Sequence, residues 1–411
     1  MDERQAESYL LDLELFGMRF GLDRMHKLMT VLGMPQRRFA SIHVVGTNGK
    51  SSTVRMIAAI LERHGIRTGS YTSPHLVSFT ERIEVDERPV SGADFAASVS
   101  RVQHAAELVN RTQEAGDTVT QFEALTAAAY HELARRGVEV AVVEAGLGGR
   151  YDATNVIPSR VQVITNVGLE HTRWLGPTVK DIAEEKLAVV RDQATLVAGD
   201  LDADAEAVAE RVVRERHARL VHAPATTHLP LAALGGFQRR NFALAEAAAQ
   251  AFLGELDPEA VRRAAAETQV PGRMQKVADD PLTIYDGAHN PSGSEALADA
   301  LPDVVGARRL VGVVGILDDK DAAGMLRPLL PLFDSVIFTR SANPRSLSPA
   351  TLESLAEKLG GPPVENVADP QAAVSRAREL AGPGGAVLAT GSIYLVADLV
   401  RDRSALRASM L

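Results

Sequence analysis

A short run of glycine, hydroxyl and lysine residues near the N-terminus has the composition of a phosphate-binding loop. The run Gly46-Thr-Asn-Gly-Lys-Ser51 follows an apolar, strand-like segment (Phe39 to Val45) and precedes a helix-like one (Ser52 to His64). A glycine-rich turn in that context directs backbone N–H groups, a helix N-terminus and one lysine at a single point, and this geometry binds phosphate. The generic nucleotide-loop pattern has a glycine where this chain has Val44, so the loop is a shorter variant. We predict a nucleotide site rather than a tight turn with an incidental lysine, made by Thr47, Asn48, Gly49, Lys50, Ser51 and Ser52.

Two further polar groups follow predicted strands. Glu144 comes directly after the apolar segment Val138 to Val143, and His171 comes after the segment Arg160 to Thr165. Strands that alternate with helices predict a parallel sheet whose carboxyl ends carry the site. Because Mg²⁺ prefers oxygen ligands and phosphate, we predict that Glu144 is a metal ligand rather than a solvated loop residue. The pattern alone leaves His171 open between a ligand and a structural histidine.

The residue pattern alone does not decide the role of two other motifs. Lys186 lies mid-helix in Ile182-Ala-Glu-Glu-Lys-Leu-Ala188, where a surface lysine with an acidic partner is an equally good interpretation. The run Asp286-Gly-Ala-His-Asn-Pro291 follows an apolar strand and is typical of a binding edge, but Asp-Gly and Asn-Pro are also ordinary turn residues.

Length and composition limit the class of protein. A chain of 411 residues with 45% hydrophobic and 24% charged residues predicts a soluble globular protein of two domains. The net charge of −9 argues against an extended nucleic-acid surface, which needs clustered Lys and Arg. The absence of Cys excludes disulfides, thiolate zinc sites and Cys nucleophiles. With neither a signal-peptide pattern nor a long apolar span in the sequence, we expect a cytoplasmic protein that makes no membrane contact.

Periodicity predicts alternating strands and helices after two N-terminal helical patterns in residues 1 to 40. Residues 223 to 236 are expected to be loop or edge strand, and the break at Pro271-Gly272 suggests domains of residues 1–272 and 273–411. The other predicted helices are Phe122 to Leu133, two or more within 178 to 217, and Asn241 to Phe252. The other predicted strands are Thr195 to Ala198, Leu282 to Tyr285, Leu310 to Val314, Ser335 to Thr339 and Ala386 to Ala389.

Together these motifs resemble the folylpolyglutamate synthase and dihydrofolate synthase family, within the larger group of Mur-type amide ligases. The matching stretches span nearly the whole chain in the family's order: Gly46-Thr-Asn-Gly-Lys50, Tyr71-Thr-Ser-Pro-His75, Glu81-Arg-Ile83, Glu144 to Asn155, Glu170-His-Thr-Arg-Trp-Leu-Gly176, Glu185-Lys186, Pro271-Gly-Arg273, Asp286 to Pro291 and Gly315 to Asp321.

The resemblance implies an α/β fold with a Mur-ligase-like P-loop ATPase domain, built on a parallel-type sheet, and a smaller Rossmann-like C-terminal domain. It also implies ATP-dependent addition of L-glutamate to a folate or dihydropteroate carboxylate through an acyl phosphate. The reaction would take place in the cleft between the two domains. A monomer is expected, and dual activity on both folate substrates is the default by analogy.

The resemblance also implies residue roles. Lys50, Lys186 and His289 would act in catalysis, with Lys186 carbamylated to help bind a second Mg²⁺. The first Mg²⁺ would be held by Ser73, Glu144 and His171. Asn241, Arg273 and Asp286 would contact the nucleotide. Glutamate would lie near His289 with Ser341 or Arg345, and the pterin near Phe122 and Asp152. Ser51 departs from many relatives, which have glycine after the loop lysine.

Two other classes of protein remain open at this stage. One is another Mur-type ligase that acts on a cell-wall precursor, which a UDP-sugar requirement would mark. The Thr-Ser-Pro-His run and Phe122 argue against it. The other is a nucleotide-binding protein without ligase chemistry, which the joint presence of Glu144, His171 and Lys186 disfavours.

Overall fold

Runs of valine, isoleucine and alanine form the central strands of two mainly parallel sheets, and helices cover them. The computed structural model describes residues 1–13, 21–114 and 116–401. Part of the N-terminal helical pattern, residues 14–20, and the C-terminal residues 402–411 lie outside the described residues.

The first sheet has eight strands in the order β4-β3-β2-β5-β1-β6-β7-β8, with β3 and β4 antiparallel at one edge. Its strands are β1 Ala40–Val45, β2 Thr68–Tyr71, β3 Ile83–Val85, β4 Arg88–Pro89, β5 Val140–Glu144, β6 Val161–Ile164, β7 Thr195–Ala198 and β8 Arg219–His222. The helices of this part are α1 Glu3–Asp12, α2 Asp23–Val31, α3 Lys50–Arg63, α4 Gly92–Asn110, α5 Gln121–Arg135, α6 Thr172–Leu175, α7 Val179–Leu187, α8 Ala203–Glu215, α9 Gly236–Leu253 and α10 Pro258–Glu267.

The second sheet has six strands in the order β13-β12-β11-β14-β10-β9, and only β9 runs antiparallel to its neighbour. Its strands are β9 Gln275–Asp279, β10 Leu282–Tyr285, β11 Leu310–Val314, β12 Ser335–Phe338, β13 Val364–Asn366 and β14 Ala386–Thr390. Its helices are α11 Pro291–Val305, α12 Ala322–Leu329, α13 Pro349–Lys358, α14 Pro370–Ala381 and α15 Ile393–Val400.

Strand register brings the functional loops to one edge of the first sheet. Val44 of β1 pairs with Glu144 of β5, and Val45 pairs with Ile164 of β6. These parallel strands therefore end level with one another, and the loops that leave them share one edge. The valine and isoleucine side chains of these three strands are buried, and each contributes roughly 1.5–3 kcal/mol of burial free energy that holds this edge in place.

The prediction of a parallel α/β fold is confirmed. The predicted bounds of β7, β10 and β11 agree with the structure to the residue. Neither a helix nor a strand lies between His222 and Gly236, so this segment is loop. The domain boundary at residue 272 stays a prediction. No helix among the described residues is both long and apolar enough to cross a bilayer.

Candidate active site

The nucleotide loop links β1 to α3 and is built around two glycines that no other residue could replace. Gly46 has φ +148°, and a Cβ there would lie 1.8 Å from Oγ1 of Thr165. Gly49 has φ +83°, and a Cβ there would lie 2.5 Å from Oδ1 of Asn241. Both positions combine a left-handed backbone with close contact, which only glycine accepts. The amide of Asn241 is thereby placed directly against the loop.

Two lysine ammonium groups converge on one carbonyl of this loop. Nζ of Lys50 donates to the carbonyl oxygens of Gly46 and Thr47, each at 3.1 Å. Nζ of Lys186 donates to the same Gly46 oxygen at 2.7 Å. The side chains of two lysines beside one loop can donate to a ligand that carries several negative charges.

Lys186 differs from the sequence-based description in two respects. It lies in the last turn of α7 and not mid-helix, and it is only 5% exposed, so the surface-lysine alternative is wrong. Burial, followed by the charge of Lys50, lowers the pKa of Lys186 to about 7. The helical pattern gave no sign of this because the hydrogen-bond partner of Lys186, the carbonyl of Gly46, lies in a loop far away in the sequence.

Glu144 lies at the end of β5 with its carboxylate almost fully buried beside the nucleotide loop. Its Oε1 accepts from Oγ of Ser51 at 3.0 Å, and its Oε2 accepts from the backbone N–H of Ser73 at 3.1 Å. Burial raises the pKa of Glu144, while the charge of Lys50 and these two hydrogen bonds oppose the rise.

The oxygen donors around Glu144 fit Mg²⁺. A buried carboxylate and a hydroxyl next to a phosphate loop are the hard oxygen donors that Mg²⁺ prefers. Within the described ranges no three His, Asp or Glu side chains come close enough together to hold an ion on their own. The residues therefore fit an ion that nucleotide phosphate oxygens help to hold.

The carboxylate of Glu170, for which the sequence patterns predicted no role, bridges the two halves of the chain. Its Oε1 lies 3.3 Å from Nε2 of His289 and 3.6 Å from Nζ of Lys320, both from the second half. Nε2 of the adjacent His171 lies 3.8 Å away. Burial acts to raise the pKa of Glu170, but contact with His289 and the nearby histidine and lysine charges outweigh it and hold this pKa well below its usual range.

His171 itself lies at the same edge of the cleft. It occupies a left-handed conformation with φ +53° and starts α6. Burial lowers its pKa to about 4, with the charge of Glu170 acting in the opposite direction and Lys320 and Lys50 adding to the drop. A neutral imidazole is the form that binds a metal ion.

The predicted pterin residues, Phe122 and Asp152, both line the cleft. The ring of Phe122 stacks on that of Tyr71, with centroids 6.3 Å apart and planes 30° apart. The carboxylate of Asp152 accepts from the backbone N–H groups of Leu147 at 2.8 Å and Thr154 at 3.0 Å. Burial raises the pKa of Asp152, which these hydrogen bonds oppose.

The turn after β10 forms the opposite wall. Both oxygens of Asp286 accept backbone N–H groups, from Met274 at 2.8 Å and Ala288 at 2.7 Å, so this carboxylate braces the turn. Burial raises the pKa of Asp286, and the charge of Arg273 opposes the rise. Nδ1 of His289 lies 3.0 Å from the carbonyl oxygen of Gly287, which orients the ring toward the cleft.

All but one of the predicted site residues line a single cleft of about 1890 Å³. The exception is Ser341, which is 5% exposed and does not line the cleft; its hydroxyl lies against that of Ser346. Arg345 does line the cleft, where its Nη1 lies 3.4 Å from Asp319. The cleft is open to both the nucleotide loop and the turn after β10, so it can hold a nucleotide and two further substrates together.

Comparison with known proteins identifies the family. The Mur ligase middle domain matches residues 44–222, and the Mur ligase glutamate ligase domain matches residues 272–393. The dihydrofolate synthase/folylpolyglutamate synthase of Mycobacterium tuberculosis is 37% identical over 383 residues, covering 83% of this chain and 78% of that protein. The chain belongs to the folylpolyglutamate synthase/dihydrofolate synthase branch of the Mur ligase family.

Solved structures of this family have the same fold. The structure of Mycobacterium tuberculosis folylpolyglutamate synthase complexed with ADP and AMPPCP superposes with a TM-score of 0.90 at 33% identity, covering 98% of this chain and all of that one. Escherichia coli FolC in complex with DHPP and ADP gives a TM-score of 0.86 at 30% identity, covering 97% of each chain. The Mur-ligase-like fold class is thus confirmed, and the relatives favour the folate branch over the cell-wall branch.

Proposed function

We propose that this family member is an ATP-dependent acid–amino-acid ligase that adds L-glutamate to a folate or dihydropteroate carboxylate. One observation carries the proposal: the nucleotide loop and the turn that bears His289 face the same cleft, and Glu170 from the first half of the chain contacts His289 from the second. A ligase needs this arrangement because the activated acid and the amine must meet beside the phosphates.

The first step is phosphorylation of the substrate carboxylate, since a carboxylate is too poor an electrophile for direct attack by an amine. A carboxylate oxygen attacks the γ-phosphorus of ATP, the bond to ADP breaks, and an acyl phosphate forms. Lys50 and the backbone N–H groups at the start of α3 would hold the phosphate oxygens and stabilise the charge that develops on them. Asn241, Arg273 and Asp286 would surround the rest of the nucleotide.

Ser51, Ser73, Glu144 and His171 would hold Mg²⁺, which neutralises charge on the phosphate oxygens. Lys186 would bind CO₂ as a carbamate and supply an anionic oxygen for a second ion. Only a neutral amine reacts with CO₂, and a pKa near 7 makes about half of Lys186 neutral at pH 7. An ordinary lysine would be neutral in only about one molecule in a few thousand at that pH.

The second step is attack of the glutamate amine on the acyl phosphate. A tetrahedral intermediate forms and then expels phosphate, leaving the amide. His289 and Arg345 would position glutamate on the second wall, while Phe122 and Asp152 would hold the pterin on the first. Water would hydrolyse the acyl phosphate, so closure of the two walls is expected to precede the chemistry.

The test is product formation by the purified chain with ATP, Mg²⁺ and glutamate, offered dihydropteroate and tetrahydrofolate in separate reactions. We expect ADP and a glutamylated product with at least one of them. ADP formation that is independent of the acid would point to a plain ATPase and overturn the proposal. A monomeric state and a cytoplasmic location remain predictions from the sequence, which gel filtration and cell fractionation check.

A further inference from the structure

The side chain of Asn48 in the nucleotide loop reaches across the cleft. Its Nδ2 lies 3.3 Å from Oδ1 of Asn290 and 2.9 Å from Oγ of Ser292. In return, Nδ2 of Asn290 donates to Oδ1 of Asn48 at 3.0 Å. The two amides thus form a reciprocal pair between the loop after β1 and the start of α11.

The orientation of this pair is determined by the helix cap. Asn290 is the N-cap of α11, and its Oδ1 accepts from the backbone N–H of Gly293 at 2.8 Å. A flip of the Asn290 amide would place its NH₂ group against that N–H, so Oδ1 must stay where it is. The atom of Asn48 that faces it must therefore be the donor Nδ2.

The backbone N–H and carbonyl groups of Asn48 are also hydrogen-bonded within the protein. Its N–H donates to Oδ1 of Asn166 at 3.0 Å. Its carbonyl oxygen accepts from Oγ1 of Thr165 at 2.6 Å. Every hydrogen-bonding group of Asn48 is thus satisfied within the protein, and none is left for a phosphate oxygen.

The pair of Asn48 and Asn290 lies next to a residue of the proposed glutamate site. Asn290 directly follows His289, which faces the cleft and contacts Glu170. Asn290 is 3% exposed, and the two hydrogen bonds between the amides are partly buried. A shift of the loop after β1 would consequently move the residue next to the proposed glutamate site.

We propose that Asn48 is a positioning residue for the amine substrate: it fastens the turn that bears His289 to the nucleotide loop and does not itself bind the nucleotide. The role rests on the proposed function, since it concerns where glutamate is held. A residue that binds phosphate would affect the binding of ATP, whereas the role proposed for Asn48 affects the use of glutamate. Loss of Asn48 should weaken the use of glutamate and leave nucleotide affinity almost unchanged.

The test uses Asn48→Leu, which keeps the size and the neutrality of the side chain but removes the amide that pairs with Asn290. The dissociation constant of a non-hydrolysable ATP analogue is measured by calorimetry, and KM for glutamate and kcat are measured in the same preparations. We expect KM for glutamate to rise about tenfold or more, while the nucleotide dissociation constant changes by less than about threefold. Ser292→Ala should shift KM in the same direction by less.

Lys50→Ala is the contrasting variant, because it should weaken nucleotide binding and leave the pair of Asn48 and Asn290 intact. A loss of analogue binding in Asn48→Leu, with KM for glutamate unchanged, would overturn the inference. If Asn48→Leu does not fold, Ser292→Ala decides, and an unchanged KM for glutamate there would count against the role. A wrong function proposal would be distinguishable from a wrong role for Asn48, because the wild-type chain would then show no glutamate-dependent ADP formation.

Discussion

The two walls of the cleft are organised in different ways. On the nucleotide wall, Lys50 and Glu144 are held by residues of the same half of the chain: Lys50 by the loop carbonyls, Glu144 by Ser51 and Ser73. On the opposite wall, His289 and Lys320 also lie against Glu170, a residue from the other half of the chain. The charged groups of the nucleotide wall are therefore positioned within one half of the chain, whereas the wall proposed to hold glutamate also depends on contacts across the cleft.

This difference has a functional consequence. A locally built site keeps its affinity when distant contacts are lost, because its donors stay aimed at the ligand. A wall held across the cleft loses its geometry with any one of the bridging contacts. Substitutions on the two walls should thus separate nucleotide binding from the use of glutamate.

The largest effect is expected for Lys50→Ala. Removal of the cation at the proposed phosphate site should lower kcat by about 10²- to 10³-fold. Little change in Tm is expected, because the hydrogen bonds that Lys50 makes in the described part of the chain go to carbonyls of its own loop. Steady-state kinetics and thermal melting measure both quantities. Lys358→Ala, on the exposed face of α13, is the matched control. Near-normal turnover of Lys50→Ala would remove Lys50 from catalysis.

The second effect concerns the proposed carbamate on Lys186. Lys186→Ala should lose turnover and keep its fold, and added short carboxylates should restore part of the activity because they supply the missing anionic oxygen. Lys180→Ala, on the exposed side of the same helix, serves as the control. Unaltered turnover in Lys186→Ala would rule out the role, and so would a lack of response to every short carboxylate tried.

A smaller effect is expected for Glu170→Gln, which removes the negative charge that bridges the walls. KM for glutamate should rise roughly tenfold to hundredfold, since hydrogen bonds to charged groups contribute about 1.5–3 kcal/mol. Binding of an ATP analogue, measured by calorimetry, should stay almost unchanged. Glu357→Gln controls for a surface substitution. Equal losses for both ligands would show that the two walls are not organised separately.

The smallest effect is the pH dependence of carbamate formation. With the pKa of Lys186 lowered to about 7, its neutral fraction should rise from about one tenth at pH 6 to about nine tenths at pH 8. Carbamate from ¹³C-labelled bicarbonate, followed by NMR, should therefore increase with pH across this range. A signal that persists in Lys186→Ala, or none in the wild type, would contradict the assignment.

The contrast between local contacts and contacts across the cleft also explains which features the sequence could predict. The loop from Gly46 to Ser51 and the apolar strands β7, β10 and β11 are local patterns, and local patterns are readable from one sequence. The edge strands β8, β9 and β13 were not predicted because exposed edges carry few apolar residues.

The contacts of Glu170 across the cleft could not be predicted from the sequence, for a different reason. Glu170 lies more than a hundred residues from His289 in the sequence, and only the packed fold brings them together. The Glu170-His-Thr-Arg-Trp-Leu-Gly176 motif was the one signal that could have drawn attention to Glu170. The burial of Lys186 was missed similarly, because its partner is a carbonyl in a distant loop.

Oxygen transfer tests the central claim, that a substrate carboxylate is activated as an acyl phosphate in this cleft. The folate or dihydropteroate carboxylate is labelled with ¹⁸O, and the phosphate released with ATP, Mg²⁺ and glutamate is analysed by mass spectrometry. The mechanism predicts that each phosphate released carries one oxygen atom from the substrate carboxylate. Unlabelled phosphate formed alongside the amide product would contradict it.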